Sequence, residues 1–212
     1  MKWNFLLCAF SLFSCCSLNA ADWSFAKGAA NSIEAAGSES APAQYLIGRS
    51  ASEPLRWDGA KGINFVKNPD GGLVSQKSDG GECFFTLKFA FSQPLDKFRF
   101  ITPKLDSLDL SAGPCRFEYS INGGKSFLPL AQVSAKTPGV AVGGSAQPFA
   151  SDWIKFSSTE NVQDIILRIV LVGYVGGMQW NGAAANGGVI EFVSRSDSKS
   201  QLSLKAFPDA SE

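Results

Sequence analysis

Two short runs, Trp57-Asp58-Gly59 and Trp180-Asn181-Gly182, place an indole beside a polar side chain and a glycine. In a loop, such a pair suits one kind of chemistry. The ring stacks on the apolar face of a sugar while its neighbour exchanges hydrogen bonds with hydroxyls. Tryptophan in a β-sandwich more often plugs the end of the core, and both readings stand at this point. Trp57, Asp58, Trp180 and Asn181 are the ligand-binding candidates. Trp153, alternating with Lys155, fits either role and is assigned neither. Arg168, alone in an apolar run, calls for a carboxylate or carbonyl partner, with ligand recognition as the second reading.

Other chemistries are closed by composition. The chain contains no histidine, so Ser-His-Asp and Cys-His nucleophile systems are excluded, as are zinc sites built on imidazole. Paired carboxylates, as in glycoside hydrolysis, survive. With 19 acidic residues in the chain, however, such a pair is arithmetically easy and singles out no residue. No catalytic residue is assigned, and the protein is expected to be non-enzymatic. Asp70, Asp79 and Glu82 lie in neighbouring Gly-rich turns and offer oxygen atoms suited to a structural calcium. Asp-Gly is also plain turn chemistry, so the metal question stays open and no cofactor is expected.

The elements that would position these groups are strands. In "ECFFTLKFAF" Cys83, Phe85, Leu87, Phe89 and Phe91 share one face, with Phe84 the exception on the other. "KFRFIT" and "CRFEYSI" continue the alternation. "DIILRIVLVGY" is apolar on both faces except at Arg168, the pattern of a central strand covered on each side. "GVIEFVS", "DWIKFSS", "GINFV", "AQYLIG" and "SLKAF" are shorter candidates, for ten or eleven strands in all. "NSIEAAGS" is the nearest approach to a helix, at one or two turns. The implied fold is all-β: one two-sheet antiparallel β-sandwich of jelly-roll type. "TPGVAVGGSAQPFASD" is its expected long loop, followed by the Ala, Ser and Gly-rich segment 27–42.

Residues 1–20 read as a signal peptide: Lys2, the apolar run "FLLCAFSLFSCC", then small residues before cleavage at Ala20. "LFSC" offers a lipoprotein-type alternative, with a lipid anchor on Cys15. An exported location follows, in the periplasm, on the cell surface or outside the cell, with residues 21–212 as a single domain. No run approaches the ~20 apolar residues of a transmembrane helix. Loss of Lys2 leaves 18 basic and 19 acidic residues, giving no electrostatic case for nucleic acid. Of the five cysteines, only Cys83 and Cys115 outlast such cleavage. An even pair on core-facing strand positions in an oxidising compartment reads as one disulfide.

"SINGGKSF" resembles the Asp-box of sialidases, with Asn122 and Phe127 replacing the Asp and Trp of that motif. It occurs once, where a propeller repeats it, so it is read as a β-hairpin with Asn-Gly at its turn. From Cys115 to Ser194, the Trp-led strand, "RIVLVG" and the closing "GGVIEFVS" resemble bacterial exported jelly-roll modules of the galactose-binding-like and carbohydrate-binding-module kind. That resemblance implies a sandwich, frequent non-catalytic sugar binding and sometimes a structural calcium. The expected function is a secreted binder of a polysaccharide or another cell-envelope ligand. The alternatives are an exported structural or protein-interaction module and, less favoured, a carboxylate-dependent polysaccharide-cleaving enzyme.

Overall fold

The computed structural model describes residues 25–34, 36–47, 55–68, 71–76, 81–102, 114–134, 149–172, 177–181 and 188–195. Their strands are β1 (Phe25–Lys27), β2 (Asn31–Ile33), β3 (Ala43–Leu46), β4 (Leu55–Trp57), β5 (Ala60–Lys61), β6 (Ile63–Asn68), β7 (Gly71–Gln76) and β8 (Glu82–Phe91). β9 (Leu95–Ile101), β10 (Cys115–Ser120), β11 (Leu128–Val133), β12 (Ile154–Lys155), β13 (Asp164–Val172), β14 (Gly177–Asn181) and β15 (Val189–Ser194) complete the set. Among the described residues there is no helix.

Alternation assembles these strands. β8 buries Cys83, Phe85, Leu87, Phe89 and Phe91 on one side, β9 buries Phe98 and Phe100, and β10 buries Cys115, Phe117 and Tyr119. A sheet with one apolar face must cover it, and two such sheets cover each other. One sheet runs β11-β10-β13-β8-β2, with β5 also pairing β8; the other runs β12-β9-β15-β3. Their aromatic rings interlock. Phe98 meets Tyr119 at 5.4 Å, Phe100 meets Phe117 at 5.0 Å, Phe91 meets Phe192 at 5.1 Å and Tyr45 meets Phe89 at 5.7 Å. Each pair adds about 0.5–1.5 kcal/mol beyond its buried area. The chain crosses between sheets from β8 to β9 to β10 and again from β11 to β12 to β13, the jelly-roll manner of building a sandwich. A third sheet, β14-β7-β6, joins the core where Phe65 meets Phe85 at 5.5 Å.

β13 is the central strand that its double-sided apolar pattern implies. Ile165, Leu167, Ile169 and Leu171 face the core, while Ile166 and Val170 are buried on the other side. The hairpin loop after β10 lies against Ile166 through Gly124. Arg116, opposite Val170, reaches past β13 to Glu82 on β8, so its aliphatic stem shelters the strand.

The expected disulfide is absent: Cys83 and Cys115 are free and buried. Both face the core as alternation demands, but β13 runs between them. Each lies directly opposite Leu171, one on either side. Two inter-strand spacings separate their Cα atoms by about 10 Å, beyond the ~7 Å that a disulfide can bridge. Period-two patterning gives the side of a strand on which a residue points; it is silent on which strand lies next door.

The N-terminal third also departs from expectation. Asn31–Ile33 of "NSIEAAGS" is a strand, parallel to the end of β8. The Asn31 carboxamide does the joining. Its Nδ2 donates to the carbonyls of Arg56 and Lys88 at 3.0 Å each, and its Oδ1 accepts from the Arg56 N–H at 3.1 Å. The "SINGG" hairpin forms as expected between β10 and β11, but its connection spans residues 121–127 rather than two. Gly123 and Gly124 take φ of 72° and 84° there, and Ser120 Oγ accepts from the Gly124 N–H at 3.0 Å.

Residues 1–20 with Cys15, the turn residues Asp70 and Asp79, the loop 135–148 and "SLKAF" lie outside the described residues. Among the described residues no helix is long and apolar enough to cross a membrane. No cluster of three or more His, Cys, Asp or Glu able to hold a metal occurs among them either.

Two outcomes follow for the core. A chain beginning at Ala21 should label two thiols with a maleimide in denaturant without reductant. Native, it should resist labelling, because burial pushes the Cys115 thiol pKa up and removes the reactive thiolate. Two thiols that label only after reduction would restore the disulfide. Phe117→Ala should lower stability by about 3–5 kcal/mol in a urea titration.

Candidate functional site

Trp57 ends β4 half-buried, its ring stacked on Phe65 at 4.7 Å and an interplanar angle of 20°. Lys27 of the parallel strand β1 places its Nζ 5.6 Å from the same ring. The indole thus ties β1 and β4 to β6 and packs against the core. Asp58 is exposed, and its backbone N–H donates to the Thr86 carbonyl at 2.9 Å. Trp180 and Asn181 lie on β14, opposite Gly72 and Gly71 of β7; their side chains fall outside the described part of the structure.

The strongest constellation forms elsewhere, on the outer face of the β12-β9-β15-β3 sheet. With Phe98, Phe100, Ile190 and Phe192 turned inward, their neighbours Lys97, Arg99 and Glu191 must point out. Arg99 lies directly opposite Glu191, and Glu191 directly opposite Gln44 of β3. Ile154 opposes Phe98, so Trp153, one residue before β12, falls beside Arg99. The result is a transverse row of Trp153, Arg99, Glu191 and Gln44, one group per strand position and about 14 Å long.

The row is held in place by its own bonds. Arg99 Nε donates to Glu191 Oε2 at 2.5 Å, and Gln44 Nε2 donates to Glu191 Oε1 at 2.6 Å. The Glu191 side chain is only 10% exposed, so those two partners satisfy a carboxylate that burial would otherwise penalise. Arg99 Cζ stands 4.8 Å, and Lys97 Nζ 5.1 Å, from the centroid of the half-buried Trp153 ring. Two cations two residues apart on one strand thus fix the indole.

Lys97 also donates to Glu39 Oε1 at 2.5 Å. That hydrogen bond and the ammonium charge hold the Glu39 carboxyl below its ordinary range, with Lys155 contributing a smaller pull. A lowered carboxyl pKa means the contact is present at neutral pH and is lost only as pH falls through that lowered value.

The outer face of the other sheet carries a second polar network. Arg168 Nε donates to Glu118 Oε2 at 2.6 Å, which supplies the carboxylate that a mid-strand arginine demands. Its guanidinium lies 3.9 Å from the Phe127 ring centroid and 5.8 Å from that of Phe84. Phe84, the exception to the alternation of β8, is thus accounted for. Arg116 bridges Glu118 and Glu82, and Lys88 pairs with Asp164 at 3.4 Å. These carboxylates are engaged by cations and brace the sheet; their geometry is that of structure.

No known protein-family model matches the chain, and no curated protein matches it. Among solved structures it is similar to the carbohydrate-binding module TmCBM27, described for specific mannan recognition. The identity is 15%, the match covers 66% of this chain and 88% of that one, and the TM-score is 0.39. It is also similar to the xylan-binding module CBM15, at 9% identity, 73% and 99% coverage and a TM-score of 0.46. A CBM4 structure matches at 9% identity over 71% of this chain and 92% of that one, with a TM-score of 0.35.

Sequence reasoning named Trp153 without assigning it and did not find Arg99, Glu191 or Gln44 as a group. They come from three separate strands, and only strand order and register bring them together. Polar residues at alternate positions of "KFRFIT", "GVIEFVS" and "AQYLIG" were the available signal.

Glu118→Ala should lower stability by about 2 kcal/mol in a denaturant titration. The unpaired Arg168 guanidinium would be left on a partly covered face, short of the full penalty for a fully buried charge. Lys88→Ala, which removes an exposed pair, should leave the melting temperature unchanged.

Proposed function

We propose that the protein is an exported, non-catalytic β-sandwich that binds carbohydrate along the Trp153–Arg99–Glu191–Gln44 row. One observation carries this reading: an aromatic ring and three planar hydrogen-bonding groups lie in line across four strands. A sugar presents an apolar face and a rim of hydroxyls that both donate and accept. The indole suits the first, and the Arg99 guanidinium and Gln44 carboxamide, both held in place by the buried Glu191 carboxylate, suit the second. The groups are already fixed by one another, so little ordering cost opposes binding. A row of about 14 Å suits a short stretch of an extended polysaccharide chain. In this reading residues 1–20 are removed on export and residues 21–212 form the working domain. The Trp57–Asp58 pair serves the fold, and Trp180 with Asn181 forms a second surface to be tested beside the first.

Trp153→Ala should weaken polysaccharide binding at least tenfold, read by titration calorimetry or affinity electrophoresis over a panel of soluble glycans. Its melting temperature should stay close to that of the parent. Trp57→Ala should instead lower the melting temperature and leave affinity intact. Undiminished binding by Trp153→Ala, with affinity lost in Trp180→Ala or Trp57→Ala, would move the site away from this face.

A further inference from the structure

Three cations gather at the Trp153 end of the row, and they are not equally committed. Arg99 is locked to Glu191, which is buried and also held by Gln44. Lys97 is partnered by Glu39 at 2.5 Å, and the two sides of that pair differ sharply. The Lys97 side chain is 11% exposed, whereas that of Glu39 is 77% exposed. Lys155 is exposed, makes no ion pair with a described residue, and lies near enough to act on Glu39. Asp152, also exposed, is the other acid adjoining this end.

Those differences have a physical consequence. A mostly buried ammonium needs an anion at all times, because an unpaired buried charge is strongly disfavoured. An exposed carboxylate on a surface loop gains little from its pair, since water solvates it nearly as well. Exchange of Glu39 for another carboxylate therefore leaves Lys97 satisfied and releases Glu39 to solvent at small cost. Glu39 occupies the place where an incoming carboxylate would bind, beside an indole able to stack on the sugar ring bearing it.

We infer that the saccharide bound on this face is anionic, carrying a carboxylate such as that of a uronic acid, which displaces Glu39 from Lys97 and is met also by Lys155. This inference rests on the reading of the Trp153 face as a carbohydrate site and adds the charge of the ligand to it. Displacement, rather than simple addition, makes Glu39 a selectivity residue. It neutralises the Lys97 ammonium when no ligand is bound and competes with the ligand for that charge.

The test compares de-esterified with fully methyl-esterified polygalacturonate, the same backbone with and without charge, by titration calorimetry at fixed ionic strength. A panel of neutral glucans, xylan and mannan and a dextran sulfate sample complete the set. The parent protein should bind the de-esterified polymer at least tenfold more tightly than the esterified one. Glu39→Gln should tighten binding of the de-esterified polymer about threefold to tenfold, because the competitor is gone, and leave the esterified polymer unaffected. Lys155→Gln should weaken the de-esterified polymer alone. Equal binding of the two polymers, a Glu39→Gln variant that binds the charged polymer no better, or dextran sulfate bound as tightly as polygalacturonate would each overturn the inference. Binding of neutral glycans without polygalacturonate would overturn it and leave the carbohydrate reading standing. Failure across every neutral and acidic polymer would overturn both.

Discussion

The interlocked aromatic layer between the two sheets is the constraint on which everything else rests. Phe98 against Tyr119, Phe100 against Phe117 and Phe91 against Phe192 take inward positions on β8, β9, β10 and β15. A strand has only two sides, so committing one to this layer dictates what the other shows. Arg99 and Glu191 point outward because Phe98, Phe100, Ile190 and Phe192 point inward. A one-residue slip in β9 would bury the arginine and expose two phenylalanines. Register is therefore strongly held, and the polar row on the outer face inherits its precision from the apolar layer beneath it.

The two outer faces solve the same problem differently. On the β13 side, Arg116 and Arg168 lie over the strands and tie Glu82 and Glu118 together, with Phe127 and Phe84 packed against Arg168. Those groups are spent on covering Ile166 and Val170. On the β15 side the polar groups hold one another but leave the indole half-exposed and Gln44 open to solvent. There the hydrogen bonds are satisfied while the rim stays accessible, which is the arrangement the proposed binding surface relies on. Satisfied hydrogen bonding beneath a folded-over loop is the condition of a brace.

How much of this was legible in the residues follows from what alternation encodes. Period two fixed the inward sets of β8, β9 and β10, the central place of β13, and the need of Arg168 for a carboxylate. It could not order strands within a sheet. Cys83 and Cys115 shared the right side but were separated by β13, so the disulfide that their count suggested does not form. Strands of two or three residues, such as β2 and β5, are too short for a period to show, and β2 exists through the side chain of Asn31 instead. The Trp153 row was hidden for the same reason as the cysteine separation. Adjacent members of that row stand 54 to 147 residues apart along the chain and become neighbours only through pairing. The turn tryptophans drew attention because chemistry adjacent in sequence is easy to see, whereas Trp57 proved to be joined to Phe65 within the fold.

The most direct test follows the backbone and side-chain resonances of isotopically labelled protein during titration with a soluble oligosaccharide. The account predicts that the indole N–H of Trp153, the guanidinium of Arg99 and the carboxamide of Gln44 shift first and together, with residues of β10 and β13 unmoved. Shifts confined to the Trp57 or Trp180 regions, or none at saturating sugar, would contradict it.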